Sequence, residues 1–531
     1  MLTARIGAVL RIRSRFWLLA TLGLLPVLLL LALFIGSGLR GVDCGYHWDE
    51  AEFHMAPARH MVQTGVFLPQ SYIYPSFDQW LVVLPSIPPG VRAALDTHGD
   101  PKSVQAAMLA AMDAAGYLLS VRSVFIVMSS LAILWVYGAA LALRHKRWEA
   151  LVAASGVALS WPYAYHSRWA VTDCILVQFS ALTLFMLALF HRTRNPRWLY
   201  MAALAAGLGT GTKYTGVFLL GAVLLASCLD ISRGSLFGRV QRLGALCALA
   251  FGAYLITTPA TLLDPFRFLT DTHSISTYYL HGHGGYTATS GWDHARIVLT
   301  FFSLAYFSPS QWLALPLFVA VVAGGALWAR KDWRLATILV AFPLFFLVMF
   351  CGRYRTVIIR NYLLLAPFLS LLMARGIADL AHWLRRPWLK GTLQAGLLAV
   401  FIGQAYWLVA AGESIRHVDP SADARHALEY VAQHPSEHFR VSGQVRTLAK
   451  QQNLTLPANV VEGPAGSHVV FFGRAEGPNS WTWKTNDPWL TEAVFGPREI
   501  DFNWYSSWSG YDRVVVMTLE KARETGVALA L

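Results

Sequence analysis

Charged side chains are scarce in this 531-residue chain. Asp, Glu, Lys and Arg make up 14% of it, while 55% of the residues are hydrophobic. An average soluble domain carries about 25% charged residues. Apolar runs of about 20 residues, the length that crosses a bilayer, recur along most of the sequence. The low charge therefore excludes an ordinary soluble domain and indicates a polytopic helical membrane protein.

Cysteine is also rare, and the five cysteines form no CxxC pair. Scattered single cysteines provide neither a disulfide framework nor a zinc site. The sequence also lacks internal repeats and low-complexity tracts. Disulfide-stapled and zinc-binding proteins are therefore excluded as classes.

Basic residues lie mainly in short loops between the apolar runs, although the net charge is +13. Such loops stay in the cytoplasm, so the positive charge is a topology signal and no nucleic-acid partner is expected. The first apolar run follows several arginines, is too long for a signal peptide, and lacks a convincing cleavage site. We interpret it as an uncleaved span with a cytoplasmic N-terminus. The predicted spans, eleven in all, are Phe16–Ile35, Tyr117–Leu143, Ala150–Pro162, Ile175–Phe190, Trp198–Leu208, Gly216–Leu229, Gly244–Pro259, Leu313–Trp328, Leu335–Cys351, Tyr362–Leu384 and Thr392–Ala410.

Two domains are predicted. Residues 1–411 form the transmembrane domain, in which residues 41–116 are the first extracytoplasmic loop. Residues 412–531 form a domain outside the membrane, because "VVFF" and "RVVVMTL" are typical of strands and "SADARHALEYVAQH" of a helix. The predicted fold is an all-α polytopic membrane protein of about 11 transmembrane helices with a small C-terminal α/β domain. We expect it in a bacterial inner membrane, with the C-terminal domain in the periplasm.

Charged residues also occur in the loops predicted to face outward, and the cations among them oppose the positive-inside bias. Asp49, Glu50 and Glu52 lie together in the first external loop, within "GYHWDEAEFH". Later external loops carry further charged or titratable residues, namely Arg168, Asp173, Lys213, His281, His283, Arg353, Arg355 and Arg360. One polar site on the outer face, pairing carboxylates with cations that bind an anionic group, would explain this placement.

Six of these outer segments together resemble the GT-C membrane glycosyltransferases. In chain order they are "DEAEFHMAPARHMVQTGVF…YPSF", "SRWAVTD", "GLGTGTKYTG", "LLDPFRFL", "HGHGG" and "RNYLLLAPFLSLL". The branch they resemble includes the dolichyl-phosphate-mannose–protein mannosyltransferases and the bacterial aminoarabinose transferases. The resemblance spans roughly residues 16–380. "HGHGG" departs from the commoner GHxG form, and the tail after Gly412 matches no motif of the family.

The resemblance implies an inverting transferase that takes a sugar from a polyprenyl-phosphate donor on the outer side of the membrane. Inversion needs a carboxylate base near the acceptor hydroxyl, and cations where negative charge grows on the departing phosphate. Asp49 matches the acidic residue of the family's first loop and is the predicted base, with Glu50 as its catalytic neighbour. Lys213, from the "TK" motif, and Arg360 are the predicted phosphate ligands.

Further residues are predicted around the same site. Asp173 would act in catalysis by orienting the acceptor or a cation-binding residue, and Arg168 would contact substrate; alternatively the two form a structural ion pair. Tyr362 and Tyr74 would contact substrate, although aromatic residues near a membrane surface commonly serve as anchors. Bland alternatives also stay open for the main residues: Glu50 as a helix cap and Lys213 as a snorkelling lysine.

His281 and His283 are predicted to contact substrate. As metal ligands they would need two further partners, which a bare HxH does not supply. No metal site and no certain cofactor is therefore assigned, although a divalent cation stays possible.

The expected partners are the lipid bilayer, a polyprenyl-phosphate-sugar donor, and a glycan, lipid or protein acceptor. Two other functions compete with transfer. A lipid flippase or transporter would place charges inside its spans and show related repeats. A non-catalytic subunit of a glycan assembly complex would tolerate substitution of Asp49.

Overall fold

The computed structural model describes residues 24–42, 47, 49–66, 68–114, 116–230, 235–282, 287–414, 420–451, 454–462, 466–474, 493–495 and 512–524. Within these residues, seven helices are long and apolar enough to cross a membrane. They are α6 (Tyr117–Ala142), α9 (Thr172–Thr193), α12 (Leu236–Thr257), α16 (Gln311–Lys331), α17 (Trp333–Arg353), α18 (Ala366–Trp383, preceded by the 3₁₀ helix Ile359–Leu365) and α19 (Pro387–Ser414).

Shorter helices account for the other predicted spans. These are α1 (Leu24–Leu39), α7 (Arg147–Ala158), α10 (Arg197–Thr212) and α11 (Val217–Leu229). Each of the eleven predicted spans overlaps a helix, so the predicted polytopic helical fold is confirmed. The predicted number of about 11 transmembrane helices is not, because these four helices fall short of the length that seven others reach.

Helices also fill the long segments between the spans. The segment between α1 and α6 holds a π-helix (Glu50–Met55), a 3₁₀ turn (Leu84–Ser86), α2 (Ala56–Thr64), α3 (Phe77–Val83), α4 (Ile87–Asp96) and α5 (Pro101–Asp113). The later ones hold α8 (Trp161–Ser167), α13 (Ala260–Leu263), α14 (Pro265–His281), α15 (Gly291–Phe301), a π-helix (Phe302–Tyr306) and a 3₁₀ turn (Tyr214–Gly216).

Burial separates central helices from peripheral ones. In the apolar 18-residue stretch of each spanning helix, the buried share of residues is 78% in α9 and 83% in the Ile359–Trp383 segment, but 22% in α19. Large apolar side chains such as Ile402 and Tyr406 are exposed on α19, as expected where a helix faces lipid tails. The two central helices are the ones that carry Asp173 and Arg360.

Small residues allow one central helix to pack closely against a neighbour. A Cβ at Gly376 of α18 would lie 2.1 Å from the Ala320 carbonyl oxygen, and one at Gly324 of α16 would lie 1.9 Å from that of Leu372. Both distances are far below contact, so only glycine fits at either position. Glycine at such a crossing lets the two backbones approach, as is common between membrane helices.

The C-terminal region contains the predicted small α/β unit. Its strands are β1 (Phe439–Val441), β2 (His468–Arg474), β3 (Ala493–Phe495) and β4 (Asp512–Thr518), in the order β1-β2-β4-β3. β1 runs parallel to β2, whereas β4 is antiparallel to both β2 and β3. Its helices are α20 (Pro420–Gln433), α21 (Gly443–Gln451) and α22 (Leu519–Glu524).

Alternating side chains of this sheet supply two separate apolar cores. Val470 packs with residues of α20 and α21, while Val469 packs on the other face with Leu519 and Ala522 of α22. Since successive strand residues point to opposite faces, the run "HVVFF" can serve both cores. The predicted boundary of this domain at residue 412 stays a prediction.

Candidate active site

The predicted site residues lie at the ends of helical elements. Asp49 directly precedes the π-helix, and Asp173 is the second residue of α9. Lys213 is the first residue after α10, where the backbone becomes extended, and Arg360 lies in the 3₁₀ helix before α18. The fold brings all four side chains together, although they are separated by up to 311 positions in the chain.

Arg360 links two carboxylates. Its Nη2 contacts Asp49 Oδ2, and its Nε lies 3.1 Å from Asp173 Oδ2. Lys213 Nζ donates to Asp173 Oδ1 at 2.6 Å and to Asn361 Oδ1 at 2.6 Å. Two cations and two carboxylates therefore form one cluster, which we call the ion cluster. Asp49 and Arg360 keep 15% and 16% of their side chains exposed, against 3% for Asp173.

Tyr74 closes one side of this cluster. Its hydroxyl donates to Asp49 Oδ2 at 3.2 Å, and its ring lies beneath Lys213 Nζ at 5.9 Å from the centroid. Burial and the charge of Asp49 raise the pKa of Tyr74 well above its usual value, so the hydroxyl stays protonated. The structure thus places the predicted Tyr74 beside the predicted base.

Two histidines of the segment that carries Asp49 also lie at the site, one against Arg360 and one against Tyr74, and the sequence did not predict them. His47 Nε2 lies 3.2 Å from Arg360 Nη1, while the His54 ring stacks on Tyr74 at 5.2 Å between centroids. Burial lowers the pKa of His47 well below its usual value and that of His54 to about 4. Both rings are therefore neutral near pH 7. Their one signal in the sequence was their position beside the carboxylates, in "HWDEAEFH".

A third carboxyl group near the cluster does not add to its charge. Asp78 is fully buried, and neither of its oxygens has a hydrogen-bond partner among the residues that the structure describes. Burial raises its pKa well above the usual range, with a further contribution from the charge of Asp173. A buried carboxyl group without partners stays protonated. Among the residues that the structure describes, the carboxylates that pair with Lys213 and Arg360 are Asp49 and Asp173.

Glu50 belongs to a different set of contacts. Its oxygens accept hydrogen bonds from Arg122 Nε at 2.9 Å, Arg122 Nη2 at 2.6 Å and the Ala170 amide at 2.9 Å. Arg122 also donates to the Val42 carbonyl at 2.6 Å and lies over the Trp169 ring. Both partners of this ion pair are buried, at 1% and 5% exposure of their side chains. The structure does not bring Glu50 into the ion cluster.

Arg168 and Tyr362 also lie next to the cluster rather than in it. Arg168 Nη2 donates to the carbonyls of Ser37 and Arg40 at 2.9 and 3.0 Å, which ties it to the end of α1. The Tyr362 hydroxyl is fully buried and contacts the His294 ring and Cys351 Sγ. The sequence did not predict these partners of Arg168 and Tyr362, because the partner residues lie in distant segments of the chain.

The predicted substrate contacts of His281 and His283 stay predictions. His281 is exposed at the end of α14, and His283 falls outside the described residues. Within the described part of the chain, no group of three or more His, Cys, Asp or Glu residues could hold a metal ion. The ion cluster itself offers two carboxylates, but both are already paired with cations.

Comparison with known proteins identifies the family that the chain resembles. Residues 107–257 match the family described as dolichyl-phosphate-mannose-protein mannosyltransferase. The chain is similar to these membrane glycosyltransferases. The segment that matches the mannosyltransferase family contains Asp173 and Lys213, whereas Asp49 and Arg360 lie outside it. The resemblance predicted from the motifs is thereby confirmed.

Three solved structures to which the chain is similar are distant from it in sequence. ArnT from Cupriavidus metallidurans bound to undecaprenyl phosphate is 14% identical, with a TM-score of 0.48 over 93% of this chain and 97% of that chain. Its apo state is 14% identical, with a TM-score of 0.46 over 95% and 98%. An Archaeoglobus fulgidus oligosaccharyltransferase tethered to an acceptor peptide is 12% identical, with a TM-score of 0.46 over 83% and 61%. No curated protein matches the chain.

Proposed function

We propose that this protein is an inverting membrane glycosyltransferase. It moves a sugar from a polyprenyl-phosphate donor to a hydroxyl of a glycan, lipid or protein acceptor on the extracytoplasmic side. The observation that carries the proposal is the ion cluster, in which two cations and two carboxylates meet in a chain similar to the mannosyltransferase family. Phosphate recognition and proton removal need these two kinds of group.

Asp49 is the proposed base. Its carboxylate is partly exposed, so an acceptor hydroxyl can reach it. As the acceptor oxygen forms its bond to the anomeric carbon, the hydroxyl proton passes to Asp49. The bond from the anomeric carbon to the phosphate oxygen breaks at the same time, and its electron pair leaves with the polyprenyl phosphate. Proton transfer to a positioned carboxylate is typically worth about 10² to 10⁴ in rate.

Lys213 and Arg360 are the proposed ligands of the donor phosphate. Before the donor binds, both cations are neutralised by carboxylates, and Arg360 holds the base directly. A phosphate that takes up the guanidinium N–H groups releases Asp49 to accept a proton. Asp173 contacts both cations and so keeps them in place while the phosphate arrives. Its proposed role is to position the cations.

The remaining predicted residues take positioning roles in this proposal. Glu50 fixes the segment behind Asp49 through its buried pair with Arg122. Arg168 anchors the second external loop to the end of α1. Tyr362 holds the 3₁₀ helix that carries Arg360, through its contact with His294. Tyr74 orients Asp49 through its hydroxyl, and His281 and His283 stay candidates for substrate contact.

The position of the charges favours transfer over transport. Asp49, Asp173, Lys213 and Arg360 lie at the ends of helices, whereas a carrier would be expected to place charges along its spans. The test is sugar transfer by the purified protein from a polyprenyl-phosphate-linked sugar to an acceptor hydroxyl. Release of the polyprenyl phosphate and a new glycosidic bond support the enzyme. Movement of intact donor between leaflets, with no bond formed, would support a flippase.

The orientation is also part of the proposal. The N-terminus is placed in the cytoplasm and the domain of residues 412–531 in the periplasm of a bacterial inner membrane, because the basic residues lie in alternate loops. A reporter fused after Leu531 distinguishes the two sides. Activity only as a cytoplasmic fusion would refute this orientation.

A further inference from the structure

A chain of hydrogen bonds leads from Lys213 through its second partner, Asn361, and the proposed mechanism does not use it. Lys213 Nζ donates to Asn361 Oδ1 at 2.6 Å, and Asn361 Nδ2 donates to the Tyr279 hydroxyl at 3.2 Å. Lys213 and Asn361 are both buried. Tyr279 comes from α14, which belongs to a different external segment from every residue of the ion cluster.

The direction of each bond in this chain follows from chemistry. An ammonium group can only donate, so the amide atom that faces Lys213 must be the oxygen. The other amide atom is then the nitrogen, which also can only donate, so the Tyr279 oxygen must accept. The hydroxyl hydrogen of Tyr279 is therefore left for another acceptor. Among the described residues, the structure shows none for it.

The polarity of the chain favours an anion at that position. Every link points its hydrogen away from the Lys213 charge, so each donor polarises the next in the same sense. The last hydrogen, on Tyr279, is thus a stronger donor than that of an isolated tyrosine. Such a hydroxyl stabilises negative charge placed next to it.

The position of Tyr279 is fixed by its surroundings. Its carbonyl accepts hydrogen bonds from the amides of Arg355 and Thr356, at 2.9 and 3.2 Å. Its ring packs edge-on against Phe350 and Tyr354, with centroids 6.0 and 5.9 Å away. The hydroxyl is therefore held beside Asn361, whose neighbour in the chain is Arg360.

We propose that Tyr279 donates its hydroxyl hydrogen to a phosphate oxygen of the lipid donor, as a third phosphate ligand beside Lys213 and Arg360. This inference rests on the proposed function, because it needs a phosphate at the ion cluster. Asn361 acts through Tyr279 and Lys213, and its role is to position and polarise the two donors. Charge that builds up on the departing phosphate is then met from three segments of the chain, which carry Lys213, Tyr279 and Arg360.

The test is Tyr279→Phe, which removes the hydroxyl and keeps the ring. Binding of a polyprenyl monophosphate and of the corresponding uncharged polyprenol is measured in parallel with sugar transfer. A lost hydrogen bond to a charged group corresponds to about a tenfold to hundredfold weaker affinity. We expect that loss for the monophosphate and no change for the polyprenol, with a fall in transfer rate of at least similar size.

Two further variants sharpen the test. Tyr354→Phe is the matched control, since its ring packs in the same aromatic group and its hydroxyl has no part in the chain; it should behave as wild type. Asn361→Asp keeps an acceptor for Lys213 and removes the donor to Tyr279, so the effect of Tyr279→Phe should shrink in that background.

The possible outcomes separate this inference from the proposed function. If wild-type protein binds the monophosphate no better than the polyprenol and transfers no sugar, the proposed function fails and Tyr279 with it. If the wild-type protein does both and Tyr279→Phe matches it, the role of Tyr279 alone is wrong. Equal loss of monophosphate and polyprenol binding in Tyr279→Phe would also overturn it, because that result indicates packing.

Discussion

Asp49 and Glu50 are adjacent in the chain, yet they belong to two different regions of charge. Glu50 forms a closed pair with Arg122, in which the two carboxylate oxygens accept three hydrogen bonds and almost nothing is exposed. Asp49 belongs to the ion cluster, where its own side chain and that of Arg360 keep part of their surface exposed. The two regions therefore include adjacent residues of one segment but differ in how far their carboxylates are exposed.

The difference shows what makes a buried charge available for chemistry. A carboxylate that is buried and paired with a buried cation is out of reach of a substrate, and its removal leaves an uncompensated charge. A carboxylate that shares its cation with a second carboxylate and reaches solvent, as Asp49 does, can exchange partners when an anion arrives. We therefore expect Glu50 to govern stability and Asp49 to govern rate.

The largest effect is expected for Asp49→Asn. The amide keeps the shape of the side chain and its contact with Tyr74, but it cannot accept the proton. Turnover in the transfer assay should fall by about 10² to 10⁴, while donor binding and the melting temperature change little. Asp96→Asn, which changes an exposed acid of the same segment between α1 and α6, is the control. Transfer by Asp49→Asn at the wild-type rate would show that Asp49 is not the base.

Glu50→Gln should have the opposite profile. Removal of one partner from a buried ion pair typically costs about 3 to 5 kcal/mol, so the free energy of unfolding should drop by that order. The protein that remains folded should retain most of its transfer rate. Glu52→Gln is the matched control, since Glu52 lies two residues away and is exposed. Rate loss without loss of stability would instead place Glu50 in the chemistry.

Of the two regions, we expect the one around the ion cluster to lose stability at low pH, because His54 becomes protonated there. Its pKa is about 4 in the folded protein, compared with about 6.5 for histidine in an unfolded chain. Stability from the neutral ring is therefore complete above pH 6.5 and is lost as the pH falls from 6.5 towards 4. This difference corresponds to about 3 kcal/mol.

Melting temperature measured against pH checks this prediction. His54→Gln should flatten the fall between pH 6.5 and 4, because the amide does not titrate. His273→Gln, at an exposed position of α14, should leave the curve unchanged. An identical fall in wild type and His54→Gln would exclude His54 as the cause.

The smallest effect is expected for Lys213→Ala. The variant removes one proposed phosphate contact while Arg360 still balances Asp173, so affinity for the donor should fall by about tenfold to a hundredfold. The transfer rate should decrease with it, in contrast to Asp49→Asn, where binding is kept. Lys102→Ala removes an exposed lysine of the segment between α1 and α6 and serves as control. Unchanged donor affinity in Lys213→Ala would mean that the lysine only balances Asp173.

Much of this arrangement follows from local sequence. Apolar runs predicted the position of each long helix, and cations in outward loops pointed to Lys213 and Arg360, because both signals lie within a few neighbouring residues. Asp49 and Glu50 could not be told apart in the same way. The residue that separates them, Arg122, lies inside a predicted span 72 positions away, and no local pattern couples the two.

The number of spans could not be predicted from the sequence for a similar reason. The same holds for the partners of Tyr362. Helices such as α7 and α10 are shorter than a bilayer needs, and composition alone does not say where a helix ends. The contact of Tyr362 with His294 joins segments 68 positions apart. Side-chain partners of this kind depend on the final packing of helices.

The side chains of the consecutive residues Arg360, Asn361 and Tyr362 point in three different directions and contact three different sets of partners. In a 3₁₀ helix there are three residues per turn, so consecutive side chains point about 120° apart. Here the first reaches the two carboxylates, the second reaches Lys213 and Tyr279, and the third reaches His294. Insertion or deletion of a single residue just before Arg360 would rotate these three side chains by about 120°. Each side chain would then point in the direction that its neighbour in the chain now has. Register along the chain, rather than the identity of one residue, is thus what this segment can least tolerate losing.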